Sequence, residues 1–333
     1  MKILLLLAAA FPALAAITGT INNQTTGKPA ANVTVTLYKF GAGGMEPVDK
    51  AQTDAQGNFS INQAPAAQGP SMLRVEQDGI TYNHMMPPGS PTTDIGISIY
   101  NASKSQGAAK VSKHMILMEP NGGQLTVNET LLYENKGKTT WADPQNGTLR
   151  FFLPKEANGN VDVKGSAPDG MPVPVPTEKT SQPNIYVGKF EIKPGETRFD
   201  LTYSVPYTEG APYAGKIPSD DENTYLIVPN GVTLEGQNLK DLGQEPRTQA
   251  RIFGLQTNTY NIKLSGAAVP TADASADQAD SSGPQIEQIM PRVYGQVWPI
   301  LGLTLGILAL GFVLLYRSHA PAGGKETHER GRG

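Results

Sequence analysis

The chain has no cysteine, four histidines and a low share of charged residues, 17%. The missing thiols exclude disulfides, thiolate nucleophiles, Cys-type zinc sites and iron–sulfur clusters. So few imidazoles leave little room for a multi-His metal cage. No His-x-x-Glu, no Gly-x-Ser-x-Gly and no Ser-x-x-Lys is present, so the zinc-peptidase, nucleophile-elbow and Ser–Lys patterns are missing as well. Gly41-Ala42-Gly43-Gly44 lacks the later glycine and the helix that a phosphate loop needs. Helical periodicity is also absent over most of the 333 residues. What the chain has in quantity is glycine (36) and proline (27), together about a fifth of it, a turn-rich composition.

Two apolar runs stand out. Lys2 precedes Ile3 to Leu7 and a run of alanines that closes in Ala13-Leu14-Ala15, the small-x-small pattern of a signal peptide over residues 1–15. The run is too short to cross a bilayer. Val297 to Tyr316 is twenty residues without a charge, the length a membrane span requires, with Trp298 and Tyr316 near its ends. Arg317, Lys325, Arg330 and Arg332 follow it, against Arg292 alone in the twenty residues before it, so residues 317–333 are expected in the cytoplasm. The expectation is a single-pass cell-membrane protein with its bulk periplasmic or extracellular. Without disulfides, a bacterial envelope fits better than a eukaryotic secretory origin. Residues 16–296 hold 22 of the 27 basic and 28 of the 30 acidic residues, a net charge of −6, which disfavours nucleic acid and anionic headgroups as partners.

Between the two runs the pattern is β. Val33, Val35 and Leu37 alternate with threonines, and Ile95, Ile97 and Ile99 with small residues. Leu149, Phe151 and Leu153 repeat the period, as do Phe199 to Val205 and Tyr260 to Leu264. Period two with one apolar face predicts half-buried strands, and Gly/Pro/Asn punctuation between them predicts sandwiches. The fold expected is all-β: two β-sandwich domains, at 17–102 and 110–265, followed by one C-terminal transmembrane helix. Residues 266–292, rich in Ala, Ser, Asp and Pro, read as a flexible linker whose coil of about 25 residues reaches roughly 25–30 Å.

The first domain carries a more specific signature. Gly19-Thr20-Ile21 leads to Thr26-Gly27-Lys28-Pro29 and Ala31-Asn32-Val33-Thr34-Val35-Thr36-Leu37. Thr53-Asp54-Ala55-Gln56-Gly57-Asn58-Phe59-Ser60-Ile61 follows, and then Leu73-Arg74-Val75 with Gly79. Over residues 17–85 this resembles the carboxypeptidase regulatory-like domain, a transthyretin-like β-sandwich. The family's Pro-Gly-x-Tyr approach to a late strand is replaced here by Gly69-Pro70-Ser71-Met72. The resemblance implies a structural and binding module, not a catalytic one. On the residues themselves, Asp54 can accept backbone N–H groups in the turn and Gly57 can take a positive φ. In the second domain, Lys193-Pro194-Gly195-Glu196-Thr197 ahead of an alternating strand looks like a turn of Ig-like modules.

Candidate chemistry is sparse. His84 and His114 are the two histidines outside the span and tail, each near methionines: Met85 and Met86, Met115 and Met118. Imidazole plus thioether suits copper(I), so His84, Met86, His114 and Met118 are the metal candidates. Alternation along a strand sends neighbouring side chains to opposite faces, and strand packing is the favoured reading, with no metal and no cofactor. Asp220-Asp221-Glu222-Asn223 offers oxygen ligands without the spacing of a calcium loop. Trp141 reads as a loop residue that could anchor a protein or sugar. Glu129 shares parity with Leu125, Val127, Leu131 and Tyr133, which calls for a bulge, an edge position or a partner such as an Arg. Gly302 and Gly306 form a small-xxx-small pair that lets two helices approach, which would support a homodimer.

The function expected is that of a non-enzymatic, membrane-anchored envelope protein that presents its sandwiches to a protein or carbohydrate partner. Two alternatives stand beside it. One is an accessory subunit of a membrane complex acting through its helix. The other is a metal-handling or hydrolytic factor using His84 and His114.

Overall fold

The computed structural model describes residues 16–41, 44–66, 69–168, 170–219 and 223–269. The signal sequence, the span Val297–Tyr316 with Gly302 and Gly306, the tail and Asp220-Asp221-Glu222 lie outside them, as does most of the linker. Among the described residues no helix is long and apolar enough to cross a membrane. Among the described residues the architecture is β throughout, with one short 3₁₀ turn at Lys155–Ala157.

Residues 17–99 build the first sandwich-like body. The first sheet holds β1 (Ile17–Asn23) between its neighbours β2 (Lys28–Pro29), β5 (Asn58–Ile61) and β8 (Ile95–Ile99). The second runs in the order β4 (Gly44–Gln52), β3 (Thr34–Gly41), β6 (Ser71–Gln77), β7 (Ile80–Met86). Their alternating apolar residues share one core, with Ile17, Ile21, Leu37, Leu73 and Ile99 fully buried. β1 and β8 pair in parallel, so they cannot be joined by a hairpin and the chain crosses between the sheets to connect them. Gly19 makes the pairing fit: a Cβ there would lie 2.1 Å from the Ile95 carbonyl oxygen.

The turn before β5 is built as its residues dictate. Asp54 Oδ1 accepts from the backbone N–H of Gln56 (2.9 Å) and Asn58 (2.8 Å). The Asn58 side chain adds a donor to Oδ2, and together these bonds hold the Asp54 carboxyl below the usual range. Gly57 sits at φ 77°, where a Cβ would come within 2.5 Å of the Ile21 carbonyl oxygen.

Residues 109–264 line a second core. A short strand β9 (Asn101–Ser103) leads into β10 (Ala109–Asn121), β11 (Gln124–Asn135) and β12 (Thr139–Trp141). β13 (Leu149–Phe152), β14 (Asp162–Ser166), β15 (Val173–Pro174), β16 (Thr177–Lys179) and β17 (Ile185–Gly188) follow. The long β18 (Gly195–Pro206) precedes β19 (Pro212–Lys216), β20 (Thr224–Val228) and β21 (Val232–Gly236). β22 (Leu239–Gln244), β23 (Arg251–Leu255) and β24 (Thr259–Gly266) complete it. One sheet has eight strands, β15-β14-β18-β11-β10-β20-β23-β22; β13-β17-β16 and β19-β24-β21 contribute residues to the same core.

The two bodies are joined by polar contacts. β9 pairs in parallel with β12. The Tyr82 hydroxyl lies 2.9 Å from Thr140 Oγ1 and donates to the Tyr100 carbonyl at 2.8 Å. Lys193 crosses to donate to the Thr81 carbonyl, its Nζ 4.9 Å from the centre of the Tyr82 ring. Burial lowers the Lys193 ammonium's pKa, with Glu191 acting in the opposite sense.

Candidate functional site

The charge read on an apolar face finds its explanation in the second core. Glu129 is 5% exposed and sits mid-sheet on β11, not at an edge. Its partners are a histidine and a tyrosine, not an arginine. Glu129 Oε2 lies 3.0 Å from His114 Nε2, and Oε1 accepts from the Tyr203 hydroxyl at 2.9 Å. Tyr203 in turn lies 3.0 Å from the Tyr213 hydroxyl, whose ring packs against Tyr260. A bulge in β10 between Val111 and Lys113 sets this up. Without the extra residue Lys113 would follow Ala109 and Val111 inward; with it, His114 does. His114 pairs in register with Leu131 and Tyr203 with Val127, so each reaches Glu129 on the diagonal.

The phenols of Tyr203, Tyr213 and Tyr260 are all held above the usual tyrosine range, first because burial disfavours a phenolate. The negative charge of Glu129 pushes each in the same direction. Glu129, His114 and Tyr203 are buried, with His114 2% exposed, and Tyr213 is half-buried against the same core.

The four soft-metal candidates are not brought to one place. Met86 packs in the first core, and His84, half-buried on the same strand, lines a cleft of about 470 Å³ between the two bodies with Tyr82, Tyr100 and Lys193. His114 is bound into the network described above, and Met118 packs in the second core. Among the described residues no group of three His, Asp or Glu is placed to hold a metal ion. Asn223 donates to the Ser112 carbonyl at 3.3 Å.

Trp141 is a strand residue, not a loop residue. It ends β12, pairs with Ser103 on β9, and exchanges two backbone hydrogen bonds with Ile192 on its other side, at 3.0 and 2.9 Å. Its half-buried ring is inclined 51° to that of Tyr133 at 6.4 Å between centres. It lines a cleft of about 690 Å³, together with Tyr133, Thr148, Gln106, Lys110 and Arg150. Glu134 stands across the ladder from Lys110 but pairs with Lys136 at 3.2 Å. Among the described residues neither Lys110 nor Arg150 makes an ion pair. Sequence reading found Trp141 and missed these neighbours. Lys110 and Tyr133 come from the paired strands β10 and β11, Arg150 from β13 in another sheet, and Gln106 and Thr148 from the segments just before β10 and β13, so only the tertiary packing makes them adjacent.

No family model matches the chain, and no curated protein matches it in sequence. Solved structures give partial matches. A 9R-lipoxygenase from Cyanothece PCC8801 is 21% identical over 26% of this chain and 16% of that one, with a TM-score of 0.19. An M1 zinc metallopeptidase from Deinococcus radiodurans, as a point mutant, is 12% identical over 48% of this chain and 43% of that one, with a TM-score of 0.27. The unmutated enzyme gives 11%, 47%, 42% and 0.25. The chain spans less than half the length of each, and overlaps this slight carry no argument about chemistry.

Proposed function

We propose that the protein is a non-enzymatic, membrane-anchored protein of the cell envelope. It presents two β-sandwiches, a transthyretin-like one ahead of a larger one read as Ig-like, to a protein or glycan partner. The observation that carries this reading is the cleft lined by Trp141, whose backbone is bonded to strands on both sides and whose half-buried side chain stands beside Tyr133 in an open, polar hollow. Aromatic residues with an apolar body and a polar edge are the usual anchors of binding surfaces. The joint through Tyr82, Thr140 and Lys193 supports it further, since it lets both sandwiches act as one presenting body. Anchoring and orientation rest on the uncharged run Val297–Tyr316 and the charges around it.

The reading is tested in cells with a photo-crosslinking amino acid in place of Gln106 or Arg150, beside the cleft, and of Lys50 on the first sandwich. Adducts at the first two positions and not at the third are expected. Adducts confined to positions within 297–316 would favour the accessory subunit that works through Gly302 and Gly306. Protease added to spheroplasts checks topology: residues 17–296 should be digested, and a protected ectodomain would overturn the orientation.

A further inference from the structure

We infer that the free edge of β8 accepts an extended segment of a partner protein as an added strand. The site is separate from the Trp141 cleft and uses none of its residues.

Among the described residues β8 pairs with β1 on one side and with no strand on the other. Along a strand, successive backbone groups turn to opposite sides. The Gln24 N–H donates to the Ile99 carbonyl at 2.9 Å, so Ile95, Ile97 and Ile99 turn their backbone groups toward β1. Gly96, Ser98 and Tyr100 therefore turn theirs to the free edge. At Tyr100 that edge is already occupied: its N–H donates to the Tyr82 hydroxyl at 3.2 Å, and its carbonyl accepts from the same hydroxyl at 2.8 Å. One side chain thus does for Tyr100 what a neighbouring strand would do for Gly96 and Ser98. The backbone N–H and C=O groups of those two bond no described residue.

Exposed edges are normally blunted by charge, proline, a bulge or shortness. β4 carries Pro47 and a bulge opposite Leu37 and Tyr38. β22 carries Lys240, Asp241 and a bulge after Asp241. β15 is two residues long and ends in Pro174. β8 has none of these devices. Ile95-Gly96-Ile97-Ser98-Ile99 is uncharged and free of proline, and it pairs with β1 in unbroken register. Its outward residues are small and exposed, and a Cβ on Gly96 would meet nothing within 4 Å. An open row of backbone donors and acceptors is matched by another extended backbone.

The surroundings narrow the occupant. The edge opens on the cleft of about 470 Å³ between the two bodies, a size within the usual range of roughly 300–1,000 Å³ for binding clefts. At about 3.3 Å per residue, β8 offers a pairing length of roughly 16 Å. Ala167, Pro168 and Pro194 of the second body wall the far side. A wall there suits one inserted strand, not the edge of another folded sheet, which selects a single segment over a second copy of this chain. Ile95, Ile97 and Ile99 point into the first core. Side chains of the same parity on an added strand would face Tyr82 and His84 on β7, so apolar or aromatic residues at alternate positions are expected.

The test uses the full-length chain in detergent and random linear peptides displayed on phage. Binders should carry apolar or aromatic residues at alternate positions, and the strongest is labelled and titrated by fluorescence anisotropy. Gly96→Pro and Ser98→Pro each remove a free-edge N–H and leave the pairing with β1 intact, since proline is tolerated on that side of an edge strand. Affinity should fall about tenfold or more in each, with the circular dichroism spectrum unchanged. A second readout needs no variant of the protein. N-methylation of one set of alternate peptide residues should abolish binding and of the other set should not, because an added strand turns only every second N–H to its neighbour. No peptide recovered, full affinity in both proline variants, or indifference to which set is methylated would overturn the inference. A dimer that the proline variants dissociate, with no peptide bound, would place a second copy on the edge and overturn it too. Photo-crosslinks at Gln106 and Arg150 report the Trp141 cleft, so the two readings fail independently.

Discussion

Glu129 and His114 meet at 3.0 Å inside the second core, on adjacent strands and on the diagonal of their ladder. The same carboxylate takes the Tyr203 hydroxyl at its other oxygen, so one acidic residue joins three strands, β10, β11 and β18. Burying a charge this deeply costs several kcal/mol unless it is paired and hydrogen-bonded. The two contacts supply that, which is why an acidic residue is tolerated at an apolar position.

Removing the centre of this network should be expensive. Glu129→Ala leaves His114 and the Tyr203 hydroxyl without their shared acceptor in a dry core, and a loss of about 3–5 kcal/mol is expected. Tyr203→Phe removes the hydroxyl's contacts to Glu129 and Tyr213 but leaves Glu129 with its imidazole, at about 1–3 kcal/mol. Urea unfolding followed by tryptophan emission measures both. A Glu129→Ala variant as stable as wild type would show that the network contributes nothing.

Alkaline pH should unfold the second core through its tyrosines. Tyr203, Tyr213 and Tyr260 have raised pKa values when folded, from burial first and from Glu129's charge after it. A raised value means that their contribution is complete below the unfolded value of about 10 and is lost as pH climbs above it. Each such group can take away up to about 1.4 kcal/mol per pH unit in that window. Melting temperature should therefore be flat from pH 8 to 10 and fall steeply above. Tyr213→Phe should make the fall shallower, and an unaltered slope would count against this origin.

The joint between the two bodies should depend on Lys193. Lys193→Met keeps the stem and removes both the bond to the Thr81 carbonyl and the cation over Tyr82. Calorimetry is expected to show two separated transitions in the variant where wild type shows overlapping or single ones. Limited proteolysis should then cut near residues 104–108. An unchanged calorimetric trace would mean that the β9–β12 pair alone couples the two bodies.

Backbone strain separates two glycines. Gly57→Ala combines a positive φ with a Cβ 2.5 Å from the Ile21 carbonyl oxygen, and about 1–3 kcal/mol should be lost. Gly27→Ala, at φ 68° with open space around it, carries the conformational cost alone. Thermal unfolding of the two variants should rank Gly57→Ala as the more damaging. The reverse order would contradict the close approach seen in the turn.

The strands were legible in the sequence because burial on one face imposes a period of two on each strand by itself. Ile95, Ile97 and Ile99, or Phe199, Leu201 and Tyr203, need no distant residue to be recognised. The Asp54–Gly57 turn was legible for the same reason: its bonds span four residues. Pairing was not. That β8 lies parallel to β1, or β20 to β10, follows from packing between segments far apart in the chain, which no local pattern records. Glu129 declared itself as an anomaly in the apolar pattern, but its partner depended on a one-residue bulge in β10 that turned His114 inward instead of Lys113. Trp141 was visible as a lone aromatic among polar residues. Only the bridges to Ser103 and Ile192 decided that it is a strand residue, and only the packing of β13's sheet beside β10 brought Lys110 and Arg150 to one cleft with it. Local chemistry writes each strand's face into its own residues; register, partners and the walls of a cleft are settled by contacts between segments that the chain itself keeps apart.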